Sequence, residues 1–337
     1  MFMKKVFITG VAGFLGSHIA DAFLEKGYHV AGVDNLIGGY LDNVPKDVEF
    51  YQIDLNNFES LKDKMEGYDL VYHTACTAYE GLSVFSPSLI CQNTFQISVN
   101  TFVAAIQAGV GRFVHCSSMA RYGEQDVIPF NENMICKPQD PYGIAKYSAE
   151  LLLTNLSETH NLDLVIAVPH NIVGPRQKYD DPFRNVASIM INLMMQKRQP
   201  IIYGDGSQVR CFSDIEDDLA CLIQFAEDSK AVGQIFNIGP DENPVTINEL
   251  AVTIASILNF RLDPVFMPGR PQEVKYATCS ADKIRNFFNY KTTVPLKASL
   301  EKMAEYIQKR GVKDFKYHLP IEIYSDKTPK TWVNKIF

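Results

Sequence analysis

Basic residues are in short supply: 32 lysines and arginines stand against 39 aspartates and glutamates, a formal net charge of −7. A protein that works by neutralising nucleic-acid phosphates needs the opposite balance, and no basic cluster restores it. No apolar run approaches the roughly 18 residues of a membrane helix. The opening MFMKKVFITG is too short for the apolar core of a secretory signal and reads as a first strand. The seven cysteines, at 76, 91, 116, 136, 211, 221 and 279, are odd in number and never take CxxC or CxH spacing. That pattern supports neither a disulfide framework nor a metal site. It suits small buried hydrophobes in a reducing cytoplasm. Cys116 lies beside a serine pair, yet it ends an apolar run with no basic partner nearby, the wrong setting for a nucleophile. Gly/Ser linkers, low-complexity segments and internal repeats are all missing, so the parts of the chain should pack tightly.

The 337 residues suffice for one large or two medium domains, and 46% hydrophobic with 21% charged residues is ordinary for a globular chain. Short apolar or β-branched runs alternate with helical patterns through the first half. KKVFIT, a helix around FLGSHIADAFLEKG, and YHVAGVD form one strand–helix–strand unit, with Gly27 as the helix stop. VEFYQID, a helix from Asn57 to Met65, and DLVYHTA repeat it. A helix from about Phe95 to Ala108 leads into RFVHCSS, and another from Tyr142 to Glu158 leads into LDLVIAVP. Buried strands separated by helices predict a doubly wound, parallel α/β sheet. The second half mixes strand-like PIIYG, QIFNIG and DPVFMPG with helices at 184–197, 215–228, 246–258 and 297–309. The last stretch holds the only tryptophan, Trp332, and its apolar content predicts a docked tail.

GVAGFLG places Gly10, Gly13 and Gly16 directly after a strand and at a helix start. Gly10 permits the tight turn, Gly13 lets backbone approach a pyrophosphate, and Gly16 allows helix and strand to pack closely. The helix N-terminus, with Phe14 and Leu15, offers free N–H groups and a positive dipole end. Asp34 follows 18 residues after Gly16 at the end of the second strand, where a carboxylate can accept both ribose hydroxyls. No Lys or Arg occurs between 34 and 44, which predicts NAD rather than NADP. Farther on, Ser118 ends a strand, and Tyr142 precedes Lys146 by four residues, one turn along one helix face. There an ammonium can lower the tyrosine pKa.

Together, Gly-x-x-Gly-x-x-Gly, a later serine and Tyr-x-x-x-Lys resemble the short-chain dehydrogenase/reductase superfamily with its Rossmann-type sheet. Length and second-half motifs resemble its extended branch, the NAD-dependent nucleotide-sugar epimerase/dehydratase family, over nearly the whole chain. HNIVGPRQ, YGDGSQVRCFSDIED, FNIG and PGRPQEV carry that likeness. The resemblance implies Ser118, Tyr142 and Lys146 as catalytic residues. It implies NAD held by Gly10, Gly13, Phe14, Leu15, Gly16, Asp34, Asn35, Asp54 and Leu55, with Tyr142 and Lys146 also touching the cofactor. Asn171, Arg210, Arg270 and Glu273 would bind the nucleotide-diphosphate sugar with Ser118, the arginines on phosphate and Glu273 on the ribose. It further implies a Rossmann domain of residues 1–170 plus about 205–240, and a smaller C-terminal α/β substrate domain of about 171–204 and 241–337. A homodimer would form through helices 95–108 and 142–158, which carry apolar Phe95, Val99, Phe102, Leu151 and Leu152.

The departures narrow the reaction. Met119 and Ala120 follow Ser118 where 4,6-dehydratases and decarboxylases carry an acid. The Cys/His pair of fucose-synthase relatives is not placed near that loop. HTACTAYEGLSVFSP lacks the lysine that some 4-epimerases use to hold the cofactor. Arg121 and His170 replace residues that are usually apolar and aromatic. The expectation is oxidation at carbon 4 through a 4-keto species, as a nucleotide-sugar 4-epimerase. A net 4-dehydrogenase, or a non-catalytic NAD-sensing regulator, is the alternative. The nucleoside stays open among uridine, guanosine and thymidine.

Overall fold

The computed structural model describes residues 4–337. Seven strands form its main sheet: β1 (Lys5–Thr9), β2 (His29–Asp34), β3 (Glu49–Gln52), β4 (Leu70–His73), β5 (Arg112–Cys116), β6 (Asp163–Pro169) and a last strand, Ile235–Ile238. Their order across the sheet is last strand, β6, β5, β4, β1, β2, β3. Every neighbouring pair is parallel, and Thr9 of β1 sits in register with Val33 on one side and His73 on the other. The chain winds outward in both directions from β1, so a crevice opens beyond the carboxyl ends of β1 and β4.

The helices of the first two hundred residues are α1 (Phe14–Glu25), α2 (Phe58–Leu61), α3 (Glu80–Ser83), α4 (Pro87–Cys91), α5 (Ile97–Gln107), α6 (Pro141–His160) and α7 (Val186–Met195). The strands are continuously apolar because both faces are covered. Phe23 of α1, Tyr72, Phe225, Phe236 and Phe288 fill one side, and Phe7, Val71, Phe102, Phe113 and Leu153 fill the other. α6 starts where its sequence says it should: Pro141 takes the first turn, and the Asp140 carboxylate accepts the Gly143 N–H at 3.0 Å.

One expectation needs correction. The helix predicted over Asn57–Met65 shortens to α2, capped by Asn57; Leu61 is its last residue, and Met65 docks on the core from the turn beyond it. After β4 the chain folds as α3, α4 and a wide turn at Gln92–Gln96 that feeds α5. Of the apolar side chains on α5 and α6, Phe102 is fully buried against Phe113 of the sheet, while Leu151 is 57% exposed and Ile144 48%.

A second core gathers Val173, Tyr179, α7, Ile202 and the helices Ile247–Ile257 and Leu296–Arg310. Beside it, Val209–Arg210 runs between Val245–Thr246 and Tyr276–Ala277 in a three-stranded ribbon. The tail docks on the α3–α4 segment. Trp332 is buried edge-on to Phe85 and Phe183, and the Glu322 carboxylate accepts the Ser88 and Leu89 N–H groups at 2.9 and 2.8 Å.

Candidate active site

Two clefts meet above the carboxyl edge of the sheet. The first, about 730 Å³, is lined by Gly10, Gly13, Phe14, Leu15 and Gly16, by Asp34 and Asn35, by Asp54 and Leu55, and by residues 74–77 after β4. Its floor has no room for side chains. Gly10 has φ 75°, and a Cβ on Gly16 would stand 2.2 Å from the Gly10 carbonyl oxygen. The first N–H groups of α1 have no intrahelical acceptor and point their partial positive charge into the cleft. The two Asp34 oxygens accept the Ala12 and Leu36 N–H groups at 3.0 and 2.7 Å. Burial pushes the Asp34 carboxyl up, and N–H groups of Leu36, Ala12 and Gly13 push it back. Each oxygen keeps a lone pair for a hydroxyl. The Asp54 carboxylate is held by Asn56, at 2.9 Å from its N–H, and faces the far end of the cleft. Glycine floor, free N–H groups and ribose-suited carboxylate fit NAD.

The argument from missing cations covered only neighbours in sequence. In space, Lys178, Arg310, Lys313 and Lys316 gather beside the 36–42 segment. They are spent elsewhere: Arg310 pairs with Asp42, Lys178 and Lys316 with Asp180, and Lys313 stands 4.1 Å over the Tyr40 ring. None of the four lines the cofactor cleft.

The second cleft, about 1330 Å³, is lined by four of the five residues expected on the substrate side, Asn171, Arg210, Arg270 and Glu273, while Ser118 is not in its wall. Arg210 is fixed by three backbone carbonyls, those of Val209 and Val274 at 2.8 Å and Lys275 at 3.2 Å, and makes no ion pair among the described residues. Arg270 lies over the Tyr203 ring and bonds one oxygen of the Glu273 carboxylate at 2.8 Å. Asn171, at φ 47°, gives its amide N–H to the Cys211 carbonyl at 3.0 Å.

Ser118, Tyr142 and Lys146 are not among the residues that line either cleft; Tyr142 and Lys146 are buried beneath them, and Tyr142 is within electrostatic reach of Cys76 in the first, Glu80 in the second and Arg184 in both. Burial drives the Tyr142 hydroxyl well above its ordinary pKa. The opposing influences are the Ser118 hydroxyl and the Arg184 charge, whereas Cys76 of the first cleft and Glu80 of the second raise it. Lys146 is one turn farther along α6, buried, with its ammonium bonded to the Cys116 carbonyl at 2.7 Å. The Cys116 thiol is pushed up to about 12 by burial, against the Lys146 charge, so at neutral pH it is an inert thiol.

Sequence reading passed over the supports of this group. His73 and His115 stack at 5.5 Å; burial, and then the Lys146 charge, depress both, His73 to about 3. Two neutral imidazoles therefore sit near the lysine without competing for its charge. Glu150, one turn beyond Lys146, bonds the Ser117 hydroxyl and pairs with Arg121 at 3.1 Å, all three nearly inaccessible. The signal was there in Arg121 itself, a cation at a usually apolar position, which demands a buried partner.

Comparison with known proteins places these features in a wider group. Residues 6–239 match the model of the NAD dependent epimerase/dehydratase family. The UDP-glucuronate 4-epimerase of Thermodesulfobacterium geofontis is 27% identical over 319 residues, 90% of this chain and 96% of that one. The solved UDP-glucose 4-epimerase of Thermotoga maritima, with UDP-glucose, superposes with a TM-score of 0.86 at 29% identity, covering 91% of this chain and 99% of that one. The UDP-glucuronic acid 4-epimerase of Bacillus cereus, with UDP-glucuronic acid and NAD, gives 0.84 at 26% identity over 91% of this chain and all of that one.

Proposed function

Because the chain belongs to the NAD dependent epimerase/dehydratase family, we propose that it is a nucleotide-sugar 4-epimerase whose reaction runs through Ser118, Tyr142 and Lys146. The observation that supports this reading is that Tyr142 is reached electrostatically both from the cleft built for a dinucleotide, through Cys76, and from the cleft walled by two arginines, through Glu80, with no acid at positions 119 and 120. When bound, NAD supplies the acceptor and donor of the hydride at carbon 4. Ser118 orients the carbon-4 hydroxyl, and Tyr142 takes its proton as the carbon is oxidised. Lys146, on the same helix face, and Arg184 favour the ionised tyrosine electrostatically. Tyr142 then returns the proton after the keto sugar has turned its other face.

Arg210 and Arg270 meet the diphosphate. Their charge-assisted bonds hold the nucleotide while the sugar is free to rotate. Asp34 selects NAD by taking the ribose hydroxyls. The same reading includes a cytoplasmic homodimer that supplies sugars for polysaccharide synthesis; the exposed Ile144 and Leu151 of α6 support the dimer. Purified protein incubated with UDP-, GDP- and dTDP-linked hexoses should convert one of them to its carbon-4 epimer without added cofactor. A panel that yields no epimer, or a keto sugar released with equimolar NADH, would refute it.

A further inference from the structure

Among the described residues, Arg184 is the one cation that lines both clefts. It lies in the segment that leads into α7 and forms no ion pair there. The nearest buried acid, Asp181, is already used: its carboxylate accepts the Tyr79 hydroxyl at 2.5 Å and the Phe183 N–H at 2.9 Å. The guanidinium stands 5.8 Å from the centre of the Tyr79 ring and close enough to Tyr142 to act on its charge. An arginine without a counter-ion, at the place where two ligands meet, is built to receive an anion.

Which anion follows from where the sugar must lie. Carbon 1 is tied to the diphosphate near Arg210 and Arg270, and carbon 4 must reach Tyr142. Carbon 5 is bonded to carbon 4, so its substituent comes close to Tyr142, whose charge Arg184 acts on. The cofactor's own phosphates have the N–H groups of α1. We propose that Arg184 pairs with a carboxylate at carbon 6, so that the preferred substrate is a nucleotide-linked hexuronate rather than a neutral hexose. This rests on the nucleotide-sugar reading above.

The test compares UDP, UDP-glucose and UDP-glucuronate on the native protein as purified and on Arg184→Met. Calorimetry gives binding, and kcat/KM gives turnover. The ratio of the two sugars within each protein cancels any effect of Arg184 on Tyr142. The native protein should favour the uronate, and the variant should lose about 10- to 100-fold of that ratio, as one charge-assisted bond implies, with UDP binding unchanged. A native preference for UDP-glucose, or the same ratio in both proteins, would overturn the proposal. Loss of bound NAD with the ratio intact would also overturn it, by giving Arg184 to the cofactor. If UDP, GDP and dTDP all fail to bind, the nucleotide-sugar reading falls; if one of them binds and its uronate gains nothing over its hexose, only this inference falls.

Discussion

Tyr142 has a conflict built around it: burial keeps its proton on, while Ser118 and Arg184 make it easier to remove. A group whose pKa is raised acts as base only as the pH climbs towards it. The oxidation step should therefore quicken with rising pH, and Arg184→Met, which removes a cation that favours the tyrosinate, should move that limb to higher pH. Stopped-flow measurement of NADH formation across pH 6 to 10 checks both signs. Tyr142→Phe should keep the fold and lose a factor of about 10² to 10⁴ in turnover. Asp34 gives a second test at this scale. With its two oxygens already oriented by Ala12 and Leu36, NADP should bind far worse than NAD, and Asp34→Ala should narrow that gap in a fluorescence titration. Equal affinity in the native protein would remove Asp34 from its role.

Elements are held to one another by a buried polar weld. Ser117 at the end of β5 and Arg121 in the following turn both reach Glu150 of α6, so the strand end carrying Ser118 and the helix carrying Tyr142 and Lys146 cannot drift apart. Burial pushes the Glu150 carboxyl up to about 7 despite the Arg121 charge. Its folded pKa lies above the unfolded one, so its contribution to stability is full at low pH and is lost as pH rises through 7. Arg121→Met strands the carboxylate and should cost about 3 to 5 kcal/mol at pH 8, less at pH 5 where Glu150 is protonated. Urea unfolding at the two pH values checks it; a cost independent of pH would contradict it. The weld also marks where sequence reading stops. The glycine turn, Asp34 and the Tyr142–Lys146 spacing are local patterns, and strand continuity told the sheet. Glu150 meets Arg121 and Ser117, 29 and 33 residues away, His73 meets Ser98, 25 away, and His115 meets His73, 42 away, and only the folded chain brings such partners together. Arg270 was legible as a cation, but its engagement of Glu273 depended on which side of the cleft each would face.

At the scale of the whole molecule, two surfaces matter: the outer face of α6 and the tail. Leu151 and Ile144 leave apolar area in solvent that a second copy would cover. Light scattering at micromolar concentration should report a dimer, and Leu151→Asp should shift it towards monomer. A native protein that is monomeric throughout would reject the interface. The tail closes the side of the substrate cleft, with Phe337 in its wall and Trp332 wedged by Phe183, next to Arg184. The central claim is that the hydride leaves carbon 4 and returns to the same carbon within one closed site. The most direct measurement uses a nucleotide sugar deuterated at carbon 4 in the panel that gives turnover. The account predicts a carbon-4 epimer that keeps its deuterium, with no accumulation of NADH. Loss of the label, or keto sugar released with an equivalent of NADH, would contradict it.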